Sequence, residues 1–130
     1  MIERLVIPNL PEPRGPYSPA VRAGGFLFVS GQGPADPVTN EMSYGDIQHE
    51  TRIVLGNIKL ILEGCGASLK HVVKCSVFLR DGGDFAAMNA VYSEFFGGDK
   101  PARTTVEAKF ADSRMKIEVD CVAYREEGKP

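Results

Sequence analysis

Pro101 to Asp120, PARTTVEAKFADSRMKIEVD, is the stretch whose reading decides the fold. It reads as two strands joined by a polar turn, and both strands carry charge. Arg103 opens the first, in Pro-Ala-Arg-Thr-Thr-Val-Glu, and Glu118 and Asp120 lie within the second, in Lys-Ile-Glu-Val-Asp-Cys-Val-Ala. Successive strand residues point to opposite faces. Ile117, Val119, Cys121 and Ala123 therefore form one apolar face, and Glu118, Asp120, Val122 and Tyr124 form the other. The pattern predicts that Arg103 and Glu118 meet at a small-molecule pocket. The guanidinium would hold a carboxylate as a two-pronged fork, and Glu118 would handle water or a proton. The plain alternative is a solvated cross-strand ion pair, which contributes on the order of 0–1 kcal/mol.

The flanking chain supplies the rest of the domain. Met1 to Ile7 reads as a strand, and Pro8, Pro11, Pro13 and Pro16 then forbid regular structure. That loop holds Tyr17 between two prolines and must follow a set path. Ala20–Ala23 and Phe26–Gly31 form a hairpin around Gly24-Gly25. Asp46 to Glu63 is an amphipathic helix with Asp46 as N-cap and Gly64 as stop. Its stripe is Ile47, Thr51, Val54, Leu55, Ile58, Ile61 and Leu62. Gly56 inside it costs about 1 kcal/mol relative to Ala, with close packing on the sheet as the expected compensation. Ser68–His71 is a turn. Val72–Arg80 is a strand with Val73, Cys75, Val77 and Leu79 on one face and Val72, Ser76 and Phe78 on the other. Gly82-Gly83-Asp84 starts a second helix with Asp84 as N-cap, and Phe85, Met88, Val91, Tyr92 and Phe95 share its inner face. The order β-β-β-α-β-α-β-β implies a single α+β domain over 1–130, a mixed sheet with both helices on one side. The other sheet face, with Phe28 or Val29, Phe78, Val106 and Val122, stays apolar and uncovered. Such a patch predicts self-association, with sites in clefts between copies.

Composition narrows the function classes. The chain has 130 residues, 43% of them hydrophobic, and a formal charge of -2. No basic stripe appears, so nucleic acid is not an expected partner. No apolar run reaches the ~20 residues of a membrane span. The N-terminus lacks a signal-peptide apolar core, so the expected compartment is cytoplasmic. Cys65, Cys75 and Cys121 are widely spaced, and His49 and His71 lack metal-motif spacing, so reduced core cysteines and no metal site are expected. The tail past Arg125 is polar and expected to fray.

Gly15-Pro-Tyr17-Ser-Pro-Ala-Val, Phe28-Val-Ser30-Gly31-Gln32, Phe85-Ala-Ala-Met-Asn89-Ala-Val-Tyr92-Ser-Glu-Phe-Phe96, and Pro101-Ala-Arg103 with Ile117-Glu118-Val119 stand together in order. This pattern closely resembles the reactive intermediate deaminase family, also called RidA, YjgF or L-PSP. The resemblance implies a chorismate-mutase-like fold, a homotrimer, and three clefts between subunits. It implies cofactor-independent hydrolysis of 2-imino acids, reached from enamines, to 2-oxo acids and ammonia. Arg103 would bind the substrate carboxylate, and Glu118 would position water. Tyr17 and Ser30 would line the pocket, Gly31 would let backbone approach the ligand, and Asn89 and Thr105 would sit at the substrate. Thr105 replaces a cysteine found in many members, which removes any thiol-dependent role there. Glu50-Thr51 replaces the usual Gln-Thr and is expected to retune the surface. Two further readings are a pathway-specific deaminase, such as one for 2-aminomuconate, and a non-catalytic binder of small carboxylates.

Overall fold

The computed structural model describes residues 1–126. Six strands form one sheet: β1 (Ile2–Leu5), β2 (Ala20–Ala23), β3 (Phe26–Gln32), β4 (Val72–Leu79), β5 (Ala102–Glu107) and β6 (Ile117–Tyr124). Two helices accompany them, α1 (Ile47–Gly64) and α2 (Phe85–Phe96). The element order is the one expected from the sequence. The spatial order is β1-β2-β3-β6-β4-β5.

One expectation fails here. β5 and β6 are not partners. β4 lies between them, antiparallel to β6 and parallel to β5. β4 is the most continuously apolar strand, and a central place buries it on both flanks. α2 is the crossover that a parallel β4–β5 pair requires.

α1 forms as its stripe demands. Asp46 caps it by accepting from the backbone N–H of His49 at 2.8 Å, and every residue of the stripe is buried. The chain leaves α1 at Cys65, and the left-handed residue that turns it is Gly66 (φ +83°) rather than Gly64. Gly64 is needed for another reason: a Cβ there would lie 2.6 Å from Ile7 Cγ2. Gly56 is not compensated by packing. An added Cβ would meet nothing within 4 Å. Gly56→Ala is therefore expected to stabilise the fold by about 1 kcal/mol, read as a rise of a few degrees in Tm. An unchanged or lower Tm would contradict this.

Glu50-Thr51 is also not a surface feature. Both residues are 0% exposed. Thr51 Oγ1 donates to the Ile47 carbonyl at 2.6 Å. The Glu50 carboxylate accepts from the Lys116 backbone N–H at 2.8 Å, from Lys116 Nζ at 3.5 Å and from Gly45 N–H at 3.2 Å. It ties the start of α1 to the entry of β6, and so fixes the strand that carries Glu118.

Smaller corrections follow from local geometry. β1 ends at Leu5, before Val6 and Ile7. A bulge between Val72 and Lys74 reverses the first turn of the β4 pattern, so Val72 is buried and Val73 is exposed. Asp84 is the N-cap residue of α2, as expected, but its side chain makes no capping bond; Asp81 caps the preceding 3-10 turn at Gly82–Asp84, accepting from Gly83 N–H at 2.8 Å. On α2 the buried residues are Met88, Val91, Tyr92 and Phe96, while Phe85 is exposed and Phe95 is half-buried.

Leu27, Val29, Cys75, Val77, Leu79, Ile117, Val119 and Cys121 form one core with Leu55, Ile58 and Leu62 of α1 and Met88, Tyr92 and Phe96 of α2. Cys75 and Cys121 are buried free thiols, and Cys65 is a half-buried one. Of the expected uncovered face, Phe28 and Val106 are exposed, Phe78 and Val122 are half-buried and Val29 lies in the core, while Phe26 and Tyr124 extend the exposed patch, each 40% or more exposed. Phe26 packs against Tyr124 at a ring separation of 4.9 Å and against Phe28 at 6.2 Å. Among the described residues no helix is long and apolar enough to cross a membrane. Of the polar tail, residues 127–130 lie outside the described residues.

Candidate active site

The sheet register divides the expected site residues into two groups. Arg103 is paired with Cys75, and Cys75 with Cys121, so these three share the helix-covered face. Glu118 is paired with Phe78, three residues along β6 from Cys121, and so projects from the opposite face. Two strand spacings across and three residues along put the two Cα atoms on the order of 14 Å apart. Within one chain Arg103 and Glu118 do not meet.

The first group surrounds Glu118. A cavity of about 730 Å³ has Glu118, Tyr17 and Gly31 in its wall, between the Leu5–Pro19 segment and the loop after β3. Gly31 is there for the carboxylate. A Cβ at Gly31 would lie 2.5 Å from Glu118 Oε2 and 3.0 Å from its Cδ. The missing Cβ thus makes room for the Glu118 carboxylate in the cavity wall. Ser30 does not line the cavity. Its hydroxyl donates to the Ser18 carbonyl at 2.6 Å, and its N–H donates to the Pro19 carbonyl at 3.0 Å. With its only proton engaged, Ser30 holds the proline-rich loop, and Tyr17 with it, against β3.

Burial first, and the neighbouring Asp120 carboxylate second, push Glu118 above its ordinary carboxyl range. Its protonation thus falls at higher pH than that of an exposed glutamate. An activity that needs the ionised form loses its acid limb at that raised value. Asp120→Asn removes the like charge, so the limb is expected to move to lower pH while staying above the ordinary value, because burial remains. A pH profile of kcat/KM reads this directly, and an unmoved or upward-shifted limb would contradict it.

The second group surrounds Arg103. Its guanidinium carbon lies 4.6 Å from the Tyr92 ring centroid and 5.5 Å from that of Phe85, and Nη1 is 4.0 Å from Met88 Sδ. These three residues sit at i, i+3 and i+7 on α2. Among the described residues no oxygen accepts from this guanidinium. Its fork of five donors is held in place but left open. Thr105 is two residues further on the same face of β5, and Asn89 is on the same side of α2 as Met88 and Tyr92. Among the described residues, the buried side-chain polar atoms without an oxygen or nitrogen partner are Asn89 Oδ1, Thr105 Oγ1 and Tyr92 Oη, the last beside the Cys75 thiol. All three belong to the elements around Arg103. Such orphaned groups are rare in native folds, and those of Asn89 and Thr105, near the open Arg103 fork, mark a place for a polar guest.

The model of the endoribonuclease L-PSP family matches residues 7–125. The chain belongs to that family. The resemblance read from Tyr17, the Ser30–Gln32 segment, Arg103 and Glu118 is borne out. The family relatives include a RutC family protein of Pyrococcus horikoshii, 51% identical over 97% of this chain and 100% of its own length. A protein of Dermatophagoides farinae named 2-iminobutanoate/2-iminopropanoate deaminase is 38% identical over 92% of this chain and 93% of its own. The crystal structure of Escherichia coli TdcF with bound serine superposes with a TM-score of 0.83 at 35% identity, covering 91% of this chain and 94% of that one. The mixed sheet with two helices is thus the L-PSP family fold.

Sequence reasoning missed several residues of these two groups. Arg14, Gln32, Asn57 and Met115 join the cavity wall. Tyr92 and Phe85 hold Arg103, although they were read as core positions. Two aromatics one heptad apart on a helix, ahead of a strand arginine, are the signal that could have found them.

Proposed function

We propose that the protein is a hydrolytic deaminase of reactive 2-enamine and 2-imine acids, acting in clefts between the copies of a homotrimer. The observation that carries this reading is the split of the site. The open Arg103 fork and the seated Glu118 carboxylate are both prepared for a ligand, yet they lie on opposite faces of one sheet. Each completes a site only against another copy. The uncovered face bearing Phe26, Phe28, Val106 and Tyr124 supplies the contact that would bring copies together. The deaminase named in Dermatophagoides farinae and the serine in TdcF support a small amino-acid-derived carboxylate as the guest.

In this reading Arg103 takes the substrate carboxylate in two parallel hydrogen bonds. Asn89 and Thr105, from the same subunit, offer polar atoms to the rest of the guest. Glu118 of the neighbouring copy orients a water molecule and accepts its proton as the oxygen attacks the C=N carbon. The C–O bond forms, the π pair moves to nitrogen, and nitrogen takes up a proton. The tetrahedral carbinolamine then expels ammonia as its C–N bond breaks and the hydroxyl proton leaves, giving the 2-oxo acid. An enamine enters by tautomerising to the imine. The raised pKa of Glu118 makes its carboxylate a better proton acceptor than an exposed glutamate. The chemistry asks for no cofactor or metal, and a cytoplasmic setting would place the enzyme beside the dehydratases that release such imines.

The test is the addition of purified protein to a threonine dehydratase reaction, following the loss of the imine. Faster loss than in buffer supports the proposal. Binding of 2-oxobutanoate without acceleration would replace it with a carboxylate-binding role.

A further inference from the structure

The stack beneath Arg103 points to a residue that the proposed reaction needs but that never touches the substrate. We propose that the Tyr92 ring is a positioning residue that holds the Arg103 guanidinium in its carboxylate-binding plane. This inference rests on the reading of Arg103 as the carboxylate fork and adds the means by which the fork is kept ready.

A long arginine side chain carries much rotamer entropy, and an unheld fork must lose it each time an anion binds. Here the guanidinium lies over the Tyr92 ring at 4.6 Å. Tyr92 is itself fixed: it is 7% exposed and packs on Phe96 at a ring separation of 4.6 Å. A guanidinium resting on a ring keeps its N–H donors at its edge, directed away from the π face. The second aromatic, Phe85, is 5.5 Å away and exposed, so it closes the stack more weakly. The Tyr92 hydroxyl does not explain the residue. It is buried away from any oxygen or nitrogen partner, and its one polar neighbour is the Cys75 thiol, a weak hydrogen-bonding group. What the position uses is therefore the ring.

The experiment measures 2-oxobutanoate binding by calorimetry for the full chain and for Tyr92→Phe, Tyr92→Leu, Tyr92→Met, Arg103→Ala and Tyr92→Leu/Arg103→Ala. Tyr92→Phe is expected to bind within about twofold of the parent. Tyr92→Leu and Tyr92→Met are expected to bind about tenfold more weakly, and in turnover the loss is expected in KM more than in kcat. Met fills the space without a π face, so the comparison survives if the Leu variant does not fold. In the Arg103→Ala background the Leu substitution is expected to add nothing. Parent-like binding by the Leu or Met variant, equal weakening by Phe, or a further loss in the double variant would each overturn the role of the ring. Parent-like binding by Arg103→Ala would instead overturn the carboxylate fork on which the inference stands.

Discussion

Arg103→Ala is expected to lower kcat/KM for 2-iminobutanoate by a hundredfold or more, on the order of 3 kcal/mol of lost transition-state stabilisation. The size follows from what the side chain does in the fold. Its guanidinium is already stacked on Tyr92 and Phe85 and engages no oxygen acceptor among the described residues. Its donors thus pass to the ligand with little left to reorganise. Both hydrogen bonds to a carboxylate are charge-assisted, each worth about 1.5–3 kcal/mol. Removing the fork also frees the imine carbon to drift from the attacking water, and small misplacements of that kind alone cost about a hundredfold. Arg103→Lys is expected to recover only part of the loss, because a point charge cannot make the planar two-bond contact. Steady-state kinetics on the three proteins checks this. An alanine variant within about threefold of the parent would remove Arg103 from the site.

Glu118→Gln is expected to reduce kcat by about 10²–10³, within the usual range for a positioned general base, with a much smaller change in KM. Gln keeps the size and can still hydrogen-bond, so the seat over Gly31 survives while the proton acceptor is lost. The same substitution removes a half-buried carboxyl whose ionised form burial disfavours. Stability should therefore hold or rise slightly wherever the parent carboxyl is ionised. Loss of kcat together with a Tm at or above that of the parent separates a chemical role from a structural one. A variant that keeps its kcat would assign the proton transfer elsewhere.

How far the sequence could be read depended on the range of the interaction. Local periodicity was enough for α1, whose seven-residue stripe is buried as expected, and for β6, whose Ile117, Val119, Cys121 and Ala123 all face the core. It was enough for part of the uncovered face too, since Phe28 alternates with buried Leu27 and Val29, while Val106 lies between half-buried Thr105 and exposed Glu107. Pairing between strands is a different kind of information. PARTTVEAKFADSRMKIEVD has the form of a hairpin, and nothing inside it reveals that β4 intrudes between its two strands. Once β4 is placed, register alone puts Arg103 and Glu118 on opposite faces. The bulge after Val72 was hidden for the same reason: Val72 and Val73 are chemically alike, and only the partner strand chooses between them.

The site shows the same boundary. Arg103, Glu118, Asn89, Thr105, Tyr17 and Gly31 were singled out with the help of the family pattern, and each stands in one of the two groups around Arg103 and Glu118. Their individual tasks were less legible. Gly31 was read as a gap for the ligand, yet its missing Cβ makes room for Glu118. Ser30 was read as a pocket hydroxyl, yet it fastens the loop at Ser18. Tyr92 was read as core, because a buried helical aromatic under a strand looks the same whether or not a guanidinium rests on it. Glu50 was read as surface, because nothing in Glu50-Thr51 announces the Lys116 partner far along the chain.

The central claim is that one working site takes Arg103 from one copy and Glu118 from another. Co-expression of Arg103→Ala with Glu118→Gln, followed by the imine-loss assay on the purified mixed assemblies, tests it most directly. Each variant alone is nearly inactive, but a mixed assembly contains clefts in which the intact arginine of one subunit faces the intact glutamate of the next. Random 1:1 mixing is expected to restore roughly a quarter of the parent activity, as a closed symmetric ring of shared sites requires. Mixed assemblies no more active than the two variants measured separately would contradict the claim.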